Sequence, residues 1–186
     1  MGGHLKMKCS IFIDGNNFYH GLRHIYGKDK SLKKFNFEEF INNLADKREI
    51  INIFYYNAEL DKAHNLKKYE SQKEFFDNLV KIPHFNLILC KLLKRKIKGT
   101  KRYYYVLKED DINMAVDMVE SACENRFDSA IIISGDGDFV PAVKAVQKHG
   151  KIVENIYFKN SSSRNLKQHC DKSLELTKEI LDRFFY

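Results

Sequence analysis

Short apolar runs, each ending in an acidic or glycine-containing turn and each followed by apolar residues at helical spacing, recur along this chain. The clearest case is residues 130–133, Ala-Ile-Ile-Ile, which stop at Ser134-Gly135-Asp136-Gly137-Asp138 before Phe139, Val143 and Val146 resume the apolar pattern. A β-branched run of this kind predicts a strand covered on both faces, then a tight turn, then a helix. The same grammar opens the chain. Residues 8–13 predict a strand that ends at Asp14-Gly15-Asn16-Asn17, and Phe18, Leu22 and Ile25 then mark one face of a helix.

Between and beyond these two junctions the pattern predicts strands at 49–56, 86–91 and 151–158. Helices are expected at 37–44, 61–80, 108–123, 139–149 and 166–170, with a strand end and a last helix in 174–185. In 61–80 the expected inward residues are Tyr69, Phe76 and Leu79. In 108–123 they are Met114, Ala115, Met118, Val119 and Ala122. Gly150 is placed where a C′ glycine ends a helix. Strands alternating with helices predict an α/β fold with a mainly parallel sheet. At 186 residues, without repeats or an evident linker, the chain reads as one domain spanning 1–186.

Composition changes this picture little: 44% hydrophobic and 31% charged residues fit a soluble globular chain. No apolar run approaches the roughly 20 residues of a membrane span. No secretory signal is visible, so the default location is cytoplasmic, with no membrane partner. Cys9, Cys90, Cys123 and Cys170 form no C-x-x-C pair and read as buried, reduced residues. His20 and His24 have a helical metal-binding spacing but no evident third ligand. The phosphate-loop, dinucleotide and nucleophile-elbow glycine motifs are all missing, which removes the usual sequence grounds for an NTPase, a dinucleotide enzyme or an α/β-hydrolase.

Charge changes the picture more. Residues 78–108 hold nine Lys and Arg and no Asp or Glu, so in a chain of net charge +7 the remainder carries −2. Within this interval 92–106 interleaves basic residues with Tyr103, Tyr104 and Tyr105 around Gly99-Thr100, which predicts a hairpin or an excursion off the sheet. Lys and Arg neutralise phosphates and tyrosine faces stack on bases. Lys94, Arg95, Lys96, Lys98, Lys101, Arg102, Tyr103 and Lys108 are therefore candidate nucleic-acid contacts, with Arg164 in the polar 160–165 loop as a further one. The plainer alternative is a solvated basic loop with Tyr104 or Val106 packed inward.

The candidate chemistry lies at the turns. In open α/β sheets ligands bind beyond the carboxyl ends of the strands. Asp14 and Asp136 both fall at such ends, and Asp110 or Asp111 opens a helix expected to reach the same rim. Crowded carboxylates repel unless a cation sits among them. Helix capping alone accounts for one of Asp110 and Asp111, and for one of Asn16 and Asn17. Asp117 lies about 9 Å deeper along its helix, at 1.5 Å per residue, and reads as supporting or structural.

Three stretches in this order, residues 11–17 (Ile-Phe-Ile-Asp-Gly-Asn-Asn), Lys108 with Asp111 and Asp117, and 134–139 (Ser-Gly-Asp-Gly-Asp-Phe), resemble the NYN domain family, relatives of the PIN-domain and flap nucleases. The resemblance covers about residues 8–176. It implies a three-layer α/β sandwich of PIN type and an acidic pocket for Mg²⁺ or Mn²⁺. It also implies a metal-dependent ribonuclease. By motif position Asp14, Asp111 and Asp136 would be primary metal carboxylates and Asp138 a further one, with Asn16 lining the pocket and Ser134 bracing the turn or touching phosphate. Glu109-Asp110 departs from the family pattern and leaves open which of Asp110 and Asp111 is the ligand. The rival expectations are a nucleic-acid-binding module of the same fold with little activity, and a small-molecule phosphohydrolase. Against the latter, the first strand ends Asp14-Gly15-Asn16 rather than Asp-x-Asp. RNA is the expected partner, and the sequence leaves a homodimer open.

Overall fold

The structure is a computed structural model that describes residues 6–27, 29–100 and 103–186. Strands β1 (Lys8–Asp14), β2 (Glu49–Asn57) and β3 (Phe85–Leu89) alternate with helices α1 (Gly15–Tyr26), α2 (Phe37–Ala45) and α3 (Leu66–Leu79). A hairpin of β4 (Lys91–Lys96) and β5 (Tyr103–Lys108) follows, then α4 (Asp110–Cys123). The last part is β6 (Ser129–Ile133), α5 (Val140–Lys148), β7 (Ile152–Tyr157), α6 (Arg164–His169), β8 (Lys172–Glu175) and α7 (Lys178–Asp182). Six strands form one sheet in the order β3-β2-β1-β6-β7-β8, and all five pairings are parallel.

Strand periodicity splits the sheet's side chains between two cores. Ile11, Ile13, Ile131 and Ile133 face one way and pack with Phe18, Leu22, Phe40, Ile41, Phe75 and Phe76 from α1, α2 and α3. Phe12, Ala130 and Ile132 face the other way and pack with Met114, Met118, Val143, Val146 and Leu166 from α4, α5 and α6. This is the expected three-layer α/β sandwich. It explains why β1 and β6 read as continuous apolar runs: both of their faces are covered.

The chain leaves β1 toward β2 on one side and later returns to β6 on the other. The strand order therefore reverses between β1 and β6, and a crevice opens there at their carboxyl ends, as at topological switch points generally. The two strand ends that carry Asp14 and Ser134-Gly-Asp flank this crevice.

Some boundaries differ from the sequence expectation, for local reasons. The helix expected over 61–80 starts only at Leu66, capped by Asn65, whose side chain accepts from the Lys68 N–H. Asp61 instead closes a turn, accepting from the Ala63 N–H at 2.9 Å. The inward face of α3 is Phe75, Phe76 and Leu79, with Tyr69 only half-buried. The last predicted strand before the hairpin stops at Leu89, because Lys91 pairs with Lys108 across the hairpin and not with β2. Cys9 is buried, but Cys123 is exposed rather than buried, and no disulfide joins the described cysteines. Among the described residues no helix is long and apolar enough to cross a membrane.

Candidate acidic site at the switch point

Register places the first two site residues. β1 and β6 pair with Ile13 opposite Ile133. The next residue of each chain is then Asp14 and Ser134, and the Ser134 hydroxyl donates to Asp14 Oδ2 at 3.0 Å. The other carboxylate oxygen, Oδ1, accepts from the Asn17 N–H at 2.9 Å, so Asp14 is itself the N-cap of α1. Neither Asn16 nor Asn17 caps this helix. Ser134 Oγ also accepts from the Asp136 N–H at 3.1 Å, and Asp136 Oδ1 accepts from the Asp138 N–H at 2.9 Å. Below the turn, Asn155 on β7 donates to the Ser134 carbonyl at 2.8 Å. One chain of hydrogen bonds thus links β1, β6 and β7 to the acidic turn. Ser134 is fully buried, and its hydroxyl bonds join Asp14 to the turn.

Gly135 is required for close approach rather than for an unusual backbone angle. A Cβ there would meet the Ser161 carbonyl oxygen at 1.9 Å, and the Ser163 N–H donates to the Gly135 carbonyl at 2.8 Å. The 159–163 segment is thereby clamped over the turn. Ser161 Oγ also donates to Asn17 Oδ1 at 3.1 Å, which ties that segment to α1. The structure puts Ser161 and Asn17 in a brace, and Arg164 in the exposed first position of α6.

The third element arrives through the hairpin. β3 ends on the carboxyl rim with Leu89 opposite Asn57. The hairpin leaves from there and returns, because Lys91 pairs with Lys108. α4 therefore begins beside the point of departure. Its N-cap is Glu109, in the left-handed conformation (φ 74°) with no side-chain cap bond. Asp110 and Asp111 lie in the first turn, and neither caps the helix. The capping role expected for one of them is not taken up. Asp117 lies deeper and accepts from the buried Tyr56 hydroxyl at 2.7 Å, the partner that makes it structural. Tyr56 stands opposite Asp14 in the β1–β2 register.

Electrostatics shows that these carboxylates feel one another. Asp14 is 8% exposed, and burial pushes its carboxyl up to about 6. Its bonds from Asn17 and Ser134 oppose the shift, and the charges of Asp110 and Asp136 add to it. The Asp111 side chain keeps contact with solvent, yet desolvation, then Asp110, Asp14, Asp136 and Asp138, push it up to about 6 as well. Five carboxylates from three sequence segments thus share one electrostatic neighbourhood. Among the described residues no three Asp, Glu, His or Cys side chains close into a metal cage. The donors on offer here are carboxylate oxygens, which would suit a hard cation that keeps several waters and takes one or two carboxylates plus a phosphate.

Asn16 stands two residues from Asp14, at the start of α1. It is exposed, and it lines a separate cleft beside α1. The hairpin departs from expectation in its details. Val106 is half-buried and Tyr104 is exposed, while Tyr105 donates to Asp61 Oδ2 at 2.7 Å. Lys94 lies 3.6 Å from that same carboxylate and 4.9 Å from the Tyr103 ring centroid. Tyr103 and Tyr104 are 53% and 47% exposed. Arg95, Lys96, Lys98 and Lys108 are exposed, and Lys101 and Arg102 lie outside the described residues.

A Ser134→Ala variant is expected to lose about 1–3 kcal/mol, because it leaves a buried carboxylate oxygen and the Asp136 N–H without their shared partner. Urea unfolding reads this as a lower midpoint at unchanged slope. An unchanged midpoint would show that the brace is dispensable.

An α/β sandwich with a braced acidic crevice at its switch point defines the class of protein. The NYN domain model matches residues 8–177, and the chain belongs to the NYN domain family. It is 25% identical over 172 residues to the low amplitude and bright protein LabA of Synechococcus elongatus, covering 91% of this chain and 83% of that protein. Its fold is shared by the crystal structure of VPA0982, a protein of unknown function from Vibrio parahaemolyticus. The TM-score is 0.73 at 22% identity, with 97% of this chain and 99% of that one covered. Membership carries a nuclease-like, RNA-related character for the family.

Proposed function

We propose that this protein is a metal-dependent ribonuclease, with Mg²⁺ or Mn²⁺ held at the Asp14, Asp111 and Asp136 rim. The observation that carries the reading is the meeting of three separate acidic segments at one switch-point crevice, with Asp110 and Asp111 freed from capping. Carboxylates are costly to crowd in this way, and such crowding is typical of functional sites. A bound divalent cation supplies activation of a water and neutralisation of the phosphate and leaving oxygen.

The chain's own residues prepare that chemistry. Asp14 is fixed at both oxygens by Asn17 and Ser134, so its carboxylate is oriented before any ligand enters. Asp136 is aimed by its own turn, and the exposed Asp138 stands at the outer side of it. Asp110 adds negative charge to the same neighbourhood. No side-chain nucleophile is required, because water attacks phosphorus and the oxygen on its far side leaves. The exposed Tyr103 and the basic residues Arg95, Lys96, Lys98 and Lys108 would hold the strand outside the acidic crevice, as would Lys101, Arg102 and Arg164. Action in the cytoplasm belongs to the same reading.

The test is cleavage of single-stranded and structured RNA by the purified chain in Mn²⁺ or Mg²⁺. Cleavage should appear with the cation and disappear on chelation. RNA binding that survives chelation, with no cleavage in either cation, would leave a binding module instead. Turnover of a phosphomonoester without RNA cleavage would point to the phosphohydrolase.

A further inference from the structure

Next to the acidic crevice, on the face that carries α1 and α3, lies a cleft of about 540 Å³. That volume falls within the range of roughly 300–1,000 Å³ typical of small-ligand sites. One wall is a stripe of α1, where Asn16, Tyr19, Arg23 and Tyr26 recur at helical spacing. The facing wall is a stripe of α3, with Lys68, Ser71 and Phe75. At the floor Tyr55 and Asn57 mark the carboxyl end of β2. The cleft therefore opens on the same rim as Asp14, which pairs in register with Tyr56 and is two residues from Asn16.

The chemistry of the lining is one-sided. Its described residues include Arg23, Lys30, Lys33 and Lys68 but no Asp or Glu. Lys30 is neutralised by Asp182 at 2.5 Å, and Lys33 by Glu74. Arg23 and Lys68 have no carboxylate partner among the described residues, and Tyr19, whose ring meets that of His20 edge-on at 5.3 Å, is 42% exposed. Two cations without a described carboxylate partner and an exposed aromatic ring, in a cavity large enough for a base, match a nucleotide: the phosphate meets the cations and the base stacks on the ring.

We propose that this cleft is a subsite for one nucleotide of the RNA strand flanking the bond at the acidic crevice, an inference that rests on the ribonuclease reading. The acidic rim repels a polyanion, so the strand needs a positive hold close to Asp14. The cleft supplies it on the face opposite α4, while the hairpin supplies another at the start of α4. The strand thus crosses the rim between two basic holds, and the acidic site receives the phosphate between them.

The experiment uses a fluorescein-labelled single-stranded RNA in EDTA, so that binding is read without cleavage. The Arg23→Glu, Lys68→Glu double variant should bind at least about tenfold more weakly, and its dependence of log affinity on log salt should fall by about 0.7, for the one phosphate held on a single strand. Tyr19→Ala provides a second reading that leaves charge untouched. An RNA carrying 4-thiouridine should photo-crosslink to peptides containing Tyr19 or Phe75. Unchanged affinity in both variants, or crosslinks confined to the hairpin, would overturn the subsite. Titration with adenosine monophosphate separates a free nucleotide from a strand: its binding in the cleft, with RNA affinity indifferent to the variants, also overturns the proposal. Crosslinks in the cleft without metal-dependent cleavage would sink the ribonuclease reading and leave the nucleotide site standing. Cleavage with an indifferent cleft would do the reverse.

Discussion

Asp136→Asn is expected to reduce RNA cleavage by about 10²–10³-fold while leaving the fold intact. The estimate equals about 3–4 kcal/mol of lost transition-state stabilisation at 1.36 kcal/mol per decade, the size usual for removing one electrostatic contact at a developing charge. The fold should survive because asparagine keeps the Oδ1 that accepts from the Asp138 N–H, and position 136 is only half-buried. The substitution thus removes a charge and little else. Single-turnover cleavage in Mn²⁺, set beside thermal unfolding of the same preparations, measures both halves. Equal cleavage by variant and wild type would remove Asp136 from the chemistry. Equal loss of cleavage and of melting temperature would make it structural.

The second large effect is on stability and has a defined sign with pH. In the metal-free protein Asp14 titrates at about 6, against 3.8 for an unburied carboxyl. Between those values the folded chain keeps a proton that the unfolded chain has released. Stability from this group is therefore highest below about pH 4, falls as pH rises to about 6, and is level above that. At pH 7.5 the ionised Asp14 costs the fold up to about 3 kcal/mol, from 1.36 kcal/mol per pKa unit. Asp14→Asn should remove this cost, since the amide still accepts from the Asn17 N–H and can donate to Ser134 Oγ. The variant should match wild type at pH 4 and exceed it by up to about 3 kcal/mol at pH 7.5. Asp111 moves in the same direction, but its contact with solvent screens the effect. Urea unfolding across this range decides the matter, and an Asp14→Asn variant equally or less stable at neutral pH would refute it. Added Mn²⁺ should stabilise wild type more than the variant, because the cation replaces the proton as the counter-charge.

This trade of stability for a carboxylate also explains what was legible in the sequence. Asp14 and Asp136 stood out because each interrupts an apolar run where a strand must end. Asp111 stood out less, because an acidic residue at a helix start has an ordinary capping explanation. Only the left-handed Glu109, which takes the N-cap position with no side-chain bond, removes that explanation. Asn16 read as a pocket residue from its motif. One helical residue is turned by about 100° from the next, at 3.6 per turn, and Asn16 accordingly lines the neighbouring cleft.

The sequence by itself determined the alternation of strands and helices, the two-sided burial of β1 and β6, the basic hairpin and the acidic turns. All of these are written in local periodicity and composition. Tertiary structure alone decided the rest. The strand order reverses between β1 and β6, and register sets Ser134 beside Asp14. The hairpin closes on itself, so α4 starts at the rim. Gly135 leaves room for the Ser161 carbonyl, and α1 faces α3 across a cleft with no acidic lining among its described residues. Each of these is a meeting of segments far apart in the chain. Local propensity carries no record of such meetings, because they are fixed by pairing register and packing.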